Sequence, residues 1–146
     1  MNTIVLAGTP PLTITWETLI EAIGQCESHM NHAAVGAAGE RGAWQMSLVA
    51  WVDTNEYRQE FDKWEYPHSH AHKPAIGREY ASMFAELTHD RLCDRLGRAP
   101  TVQELWAAWN LGVRGFQRIG YDLARVPDTT KRGIARLEEW VRKNAC

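Results

Sequence analysis

Cysteine is scarce in this sequence, long apolar runs are missing, and strand signals are few. The 146-residue chain has three cysteines, Cys26, Cys93 and Cys146. Their spacing fits neither a zinc site nor a disulfide framework, so free, mostly buried thiols are expected. Cys26 carries no Cys-His nucleophile signature. No stretch reaches the roughly 18 apolar residues of a membrane span, so no integral membrane segment is expected. Met1 to Gly8 lacks a basic region followed by a long apolar one, so no signal peptide is expected in this chain. Positive charge is not in excess either. The net charge of −2 argues against a nucleic-acid partner held by bulk charge. Repeats and low-complexity tracts are absent.

What is present suits a globular protein: 45% hydrophobic and 23% charged residues, with seven tryptophans. A chain this long buries a core without disulfides or metal, and one domain over 1–146 is expected. Thr9-Pro10-Pro11 keeps an N-terminal segment, 1–14, extended. Thr15 then suits an N-cap, and Leu19, Ile23, Cys26 and Met30 recur at helical spacing, predicting a helix over 16–30. Gly36, Gly39 and Gly42 predict a loop or small hairpin. A helix over 47–55 and a polar, aromatic, histidine-rich loop over 56–73 follow. Pro74 opens a long helix that ends near Gly97. Thr101-Val102-Gln103-Glu104 matches a capping box opening a helix over 102–109. Gly112 and Gly115 break that helix, a short helix runs to about Tyr121, and Asp128 caps a last helix over 128–144. The fold class expected is mostly α.

Two blocks carry chemistry. The first is Glu27-Ser28-His29-Met30-Asn31, then Ala34-Val35, then Gly39-Glu40-Arg41-Gly42-Ala43-Trp44-Gln45-Met46. The second is Ala107-Ala108-Trp109-Asn110-Leu111-Gly112. Together they resemble the soluble lytic transglycosylase domain of the lysozyme-like superfamily, to which goose-type lysozymes are distantly related. That family has Glu-Ser, an Asn four residues after the Glu, a Gly-Ala-x-Gly-Leu-Met-Gln run and a downstream Ala-Tyr-Asn-Ala-Gly. Here Ala43-Trp44 replaces Leu-Met, Glu40 replaces the alanine of the glycine turn, and Trp109 replaces the tyrosine. The departures mark a divergent branch.

The resemblance implies a lysozyme-like fold with a substrate cleft and an enzyme that cuts the MurNAc-GlcNAc bond of peptidoglycan. Glu27 is the implied acid. Protonating the bridging oxygen requires a carboxylic acid that stays protonated near neutral pH. The end of a helix and apolar neighbours such as Cys26, Met30, Trp44 and Met46 both disfavour the carboxylate. Ser28, Trp44, Gln45, Met46, Trp109 and Asn110 are the implied substrate-binding residues. Each also has a plain structural reading: Ser28 as a helix-end cap, Gln45 as an amide satisfying the loop, Trp44 and Met46 as core. Asn31 is expected to hold the loop together, and Asn110 to tie its helix end to the active-site wall.

Glu40 leaves a second chemistry open. In a lytic transglycosylase Glu27 acts alone as acid and then base, whereas a carboxylate at Glu40 facing the cleft would activate water and make a hydrolytic muramidase. A glycan-binding module without turnover, or a wall-opening assembly component, are further alternatives. His68, His70 and His72 alternate, and on an extended strand they would share one face. No fourth ligand is evident, so neither metal nor cofactor is expected. The expected partner is the peptidoglycan glycan strand, met by a monomer in the periplasm or cell wall. The routes there are a removed leader, phage-type release or specialised secretion.

Overall fold

The computed structural model describes residues 3–145. Cys146 lies outside the described residues, while Cys26 and Cys93, outside any disulfide, are half-buried where mostly buried thiols were expected. The chain is 63% helical with one two-stranded antiparallel sheet, the mostly α class that its periodicity indicates. It divides into two compact units, one formed by 1–22 with 88–146 and the other by 23–87. Helices α1 (Trp16–Ser28) and α3 (Pro74–Leu96) each contribute residues to both.

In the first unit, β1 (Thr3–Leu6) pairs with β2 (Leu12–Thr15), Thr3 opposite Thr15 and Leu6 opposite Leu12. The extended N-terminal segment is therefore a hairpin. Ile4, Leu6 and Ile14 point inward while Thr3, Val5, Thr13 and Thr15 face out, the period-two pattern of a half-buried ladder. Strands of four residues with no Asn-Gly turn between them give too short a stripe to stand out in the sequence. Thr15 caps α1, accepting a hydrogen bond from the Thr18 amide at 3.1 Å.

Helix α4 (Val102–Arg118) opens with the capping box its sequence spells. Thr101 accepts from the Glu104 amide, and the Glu104 carboxylate accepts from the Thr101 amide. Gly112, at φ 73°, kinks α4, while Gly115 continues past the kink. Gln103 fastens α4 to the end of β1, accepting from the Ala7 amide and donating to its carbonyl. The last helix, α5 (Asp128–Asn144), begins after Pro127 and brings Gly133 against the Trp106 indole. Leu6, Leu19, Ile20, Leu92, Leu105, Trp106, Phe116, Leu137 and Val141 are among the large buried side chains of this unit.

In the second unit, Ser47 caps α2 (Leu48–Gln59) by accepting from the Ala50 amide at 3.1 Å. The helix outlasts the 47–55 expected because Arg58, though charged, is buried and so belongs to its inner face. Tyr80 of α3 stacks on Trp51 of α2 at 3.7 Å between ring centroids. The phenol hydroxyl donates to Asn55 and accepts the Tyr66 amide at 2.7 Å. Apolar burial and a satisfied polar cluster thus share one core.

Candidate functional site

Glu27 lies in the last turn of α1 and is half-buried. That turn holds no basic residue, so no cation on the helix offsets the negative end of its dipole, which opposes a carboxylate charge there. The helix stops because His29 and Met30 both take left-handed backbone, at φ 54° and 60°. The Met30 amide then returns to the Gly24 carbonyl at 3.1 Å. A side chain at Gly24 would collide with Met30 and Trp44, so glycine there permits that close approach.

Ser28 joins the helix end to the glycine loop. Its hydroxyl donates to the Ala43 carbonyl at 2.6 Å and accepts the Asn31 amide at 3.0 Å. Asn31 in turn accepts the Ala33 amide through Oδ1, which is the loop-holding role its position implies. The loop is drawn into a narrow three-pass ribbon by the bridges Val35 with Arg41 and Arg41 with Met46.

Gln45 sits inside this ribbon in left-handed backbone at φ 48°. Both amide hydrogens are spent within the loop, on the Ala34 carbonyl at 3.2 Å and the Gly42 carbonyl at 2.9 Å. Its oxygen faces Gly36, and the Glu40 carboxylate lies over the same glycine, where any added side chain would overlap both. Two acceptors, one from Glu40 and one from Gln45, therefore converge above Gly36. The sequence marked Gly36 only as a turn residue. Its role as the floor beneath this acceptor pair depends on backbone placement that spacing does not reveal.

Trp44 and Met46 were expected at the substrate surface, and the structure corrects that placement. They are 1% and 3% exposed, so neither offers an open face to a sugar ring. Both are apolar, and burying them under the loop removes more surface from water than leaving them beside it. Gly77 of α3 lies close to the Trp44 ring and to the Ala71 carbonyl, and the Arg78 guanidinium sits 5.2 Å from the Trp44 ring.

Trp109 and Asn110 belong to the first unit, on α4 just before the Gly112 kink. Trp109 is half-buried and Asn110 exposed. The Asn110 amide donates to the Trp106 carbonyl of its own helix at 3.2 Å, rather than reaching a second element.

The alternating histidines are not on a strand. Residues His68–His72 form a 3-10 helix, which turns them to different directions and removes the shared face. His68 bonds the Met46 carbonyl and His72 the Ser69 carbonyl, each at 2.8 Å. Among the described residues no group of three or more metal-ligating side chains is assembled, and no helix is long and apolar enough to cross a membrane. Neither a scan of protein-family models nor a search of curated proteins finds a match to this chain.

Proposed function

We propose that this chain is a divergent lysozyme-like enzyme that cleaves the MurNAc-GlcNAc bond of peptidoglycan as a lytic transglycosylase, with Glu27 as the catalytic residue. One observation carries the reading. The Ser28 hydroxyl, next to Glu27, holds the Ala43 carbonyl at 2.6 Å, so the two halves of the sequence motif, 15 residues apart, form one constellation.

In this mechanism the Glu27 carboxyl donates its proton to the bridging oxygen as the C1–O bond of N-acetylmuramic acid breaks, and the alcohol departs. The resulting carboxylate takes the proton of the C6 hydroxyl of the same sugar, and O6 bonds to C1. The ring closes to the 1,6-anhydro form, Glu27 regains its proton, and no water is consumed. The hydrogen bonds of Ser28 and Gln45 within the loop, over the buried Trp44, support a fixed placement of the acid, which proximity catalysis demands. The reading places the chain's work in the periplasm or cell wall.

A second reading is favoured by the Glu40 carboxylate and the Gln45 oxygen converging over Gly36. Two acceptors turned to one place suit a water, and a water so held would attack C1, giving its proton to Glu40, and make the protein a muramidase. Mass spectrometry of digested peptidoglycan separates the readings. Anhydro ends are expected, retained in Glu40→Gln and lost in Glu27→Gln by a factor of about 1,000 or more. Reducing ends that vanish in Glu40→Gln would establish hydrolysis instead. Full activity of Glu27→Gln would overturn both.

A further inference from the structure

The turn after α2 presents an aromatic ring that the motif does not use. Trp64 is 75% exposed and Phe61 54%. Single exposed apolar side chains are ordinary, but three further features set this one apart. It borders an open surface depression of about 500 Å³ lined by Gln59, Asp62, Lys63, Trp64 and Glu65. Its backbone is locked from beneath by Arg58, which is only 2% exposed. Arg58 Nε donates to the Trp64 carbonyl at 2.8 Å, and the Arg58 carbonyl accepts the Phe61 and Lys63 amides at 3.0 and 3.1 Å. The guanidinium also meets Glu79 at 3.0 Å and lies 4.6 Å from the Tyr80 ring centre. Finally, the ring's neighbours are polar and mixed in kind, with Gln59 donating to Glu65 at 2.5 Å and Lys63 to Glu79 at 3.3 Å.

A flat apolar face inside a rim of donors and acceptors matches a pyranose ring, which has an apolar C–H face and an edge of hydroxyls that both donate and accept. Other occupants fit worse. An apolar protein surface would strip water from four polar groups without replacing their hydrogen bonds. A polymer charged on every unit, or an anionic lipid surface, would meet Asp62 and Glu65 against the single charge of Lys63, whereas a glycan strand offers uncharged GlcNAc rings between its lactyl carboxylates. Preorganisation by Arg58 means that little ordering entropy is lost on binding.

We propose that the turn 59–65 is a further glycan-binding site, with a sugar ring against Trp64 and its hydroxyls on Gln59, Asp62 and Glu65. Only the identity of the polymer as peptidoglycan rests on the function proposed above. The test uses the full chain carrying Glu27→Gln, titrated with soluble peptidoglycan strands freed of their peptides. Trp64→Ala should weaken binding about tenfold or more, Trp64→Phe should retain most of it, and Gln59→Ala should weaken it about threefold. An unchanged melting temperature for Trp64→Ala verifies folding. Equal affinity of Trp64→Ala and its parent would overturn the proposal, as would a parent that binds no glycan. So would a Trp64→Ala variant that alters self-association in sedimentation while leaving glycan binding intact. Cleavage by the chain with Glu27 in place is scored separately. A protein that binds through Trp64 but does not cut sinks only the catalytic reading, and one that cuts while Trp64→Ala binds normally sinks only this site.

Discussion

Ser28 illustrates how much one hydroxyl organises. It satisfies the Ala43 carbonyl and the Asn31 amide together, so Ser28→Ala leaves the carbonyl of a buried residue and a loop amide without their partner. A loss of about 1 to 2 kcal/mol is expected, read by urea unfolding at unchanged slope. Activity should fall further than stability, because the loop that Ser28 fastens carries Gln45. Unchanged activity with lowered stability would make Ser28 a cap and nothing more. Glu27 was legible as a residue type at a helix end beside Ser28. Gln45 was legible as a motif position, but its partners were not. Its amide closes on Ala34 and Gly42, and that depends on the left-handed turn it occupies.

At the scale of elements, the glycine loop depends on close approach more than on flexibility. Gly42 has φ 81°, and a side chain there would stand 2.5 Å from the Ala71 carbonyl of the 3-10 helix. Backbone cannot give way as a flexible side chain can, so Gly42→Ala should cost about 3 kcal/mol, from the φ penalty and the overlap together. Thermal unfolding checks this, with Gly39→Ala as the comparison. Gly39 is also at positive φ, but nothing lies within 4 Å of its added carbon, so only the φ penalty of about 1 kcal/mol remains. Helix ends were readable where their signals are local: Thr101 with Glu104, Pro74, and Gly97 after α3. The histidine run was read as part of a loop, and its alternation would give a shared face only on an extended chain. Here Pro67 and Pro74 frame a tight 3-10 turn instead.

Across the whole molecule, part of the response to acid follows from a buried carboxylate, Glu104. Burial pushes the Glu104 pKa up, but the Arg98 guanidinium, in a two-pronged contact at 2.8 and 2.7 Å, and the Thr101 hydrogen bonds outweigh it. The net shift is downward. A folded-state pKa below the unfolded one stabilises the protein above the ordinary carboxylate range. That stability is lost as pH falls through the folded value. Glu104→Gln should therefore be less stable than its parent at pH 7, by about 1 to 2 kcal/mol. The gap should close as the pH is lowered below the ordinary carboxylate range, as chemical unfolding at stepped pH would show. A gap that persists in acid would mean that packing, not charge, is what Glu104 supplies.

The order of the main helices, the Thr15 and Thr101 caps and the mostly α class were determined by the sequence alone, because each rests on residues within a few positions of one another; the cap expected at Asp128 is not made, since that residue already lies inside the helix after Pro127. The same is true of the two motif blocks and of Glu27 near a helix end. Tertiary structure decided the rest. It paired the N-terminal segment into a hairpin, buried Trp44 and Met46, and fastened Ser28 to Ala43. It also brought Glu40 and Gln45 together over Gly36, and set a buried Arg58 beneath an exposed Trp64. In each case the outcome depends on where the fold places the backbone. A hydrophobic pattern states which residues leave water, and hydrogen-bond geometry, fixed only by the folded backbone, decides which polar groups meet.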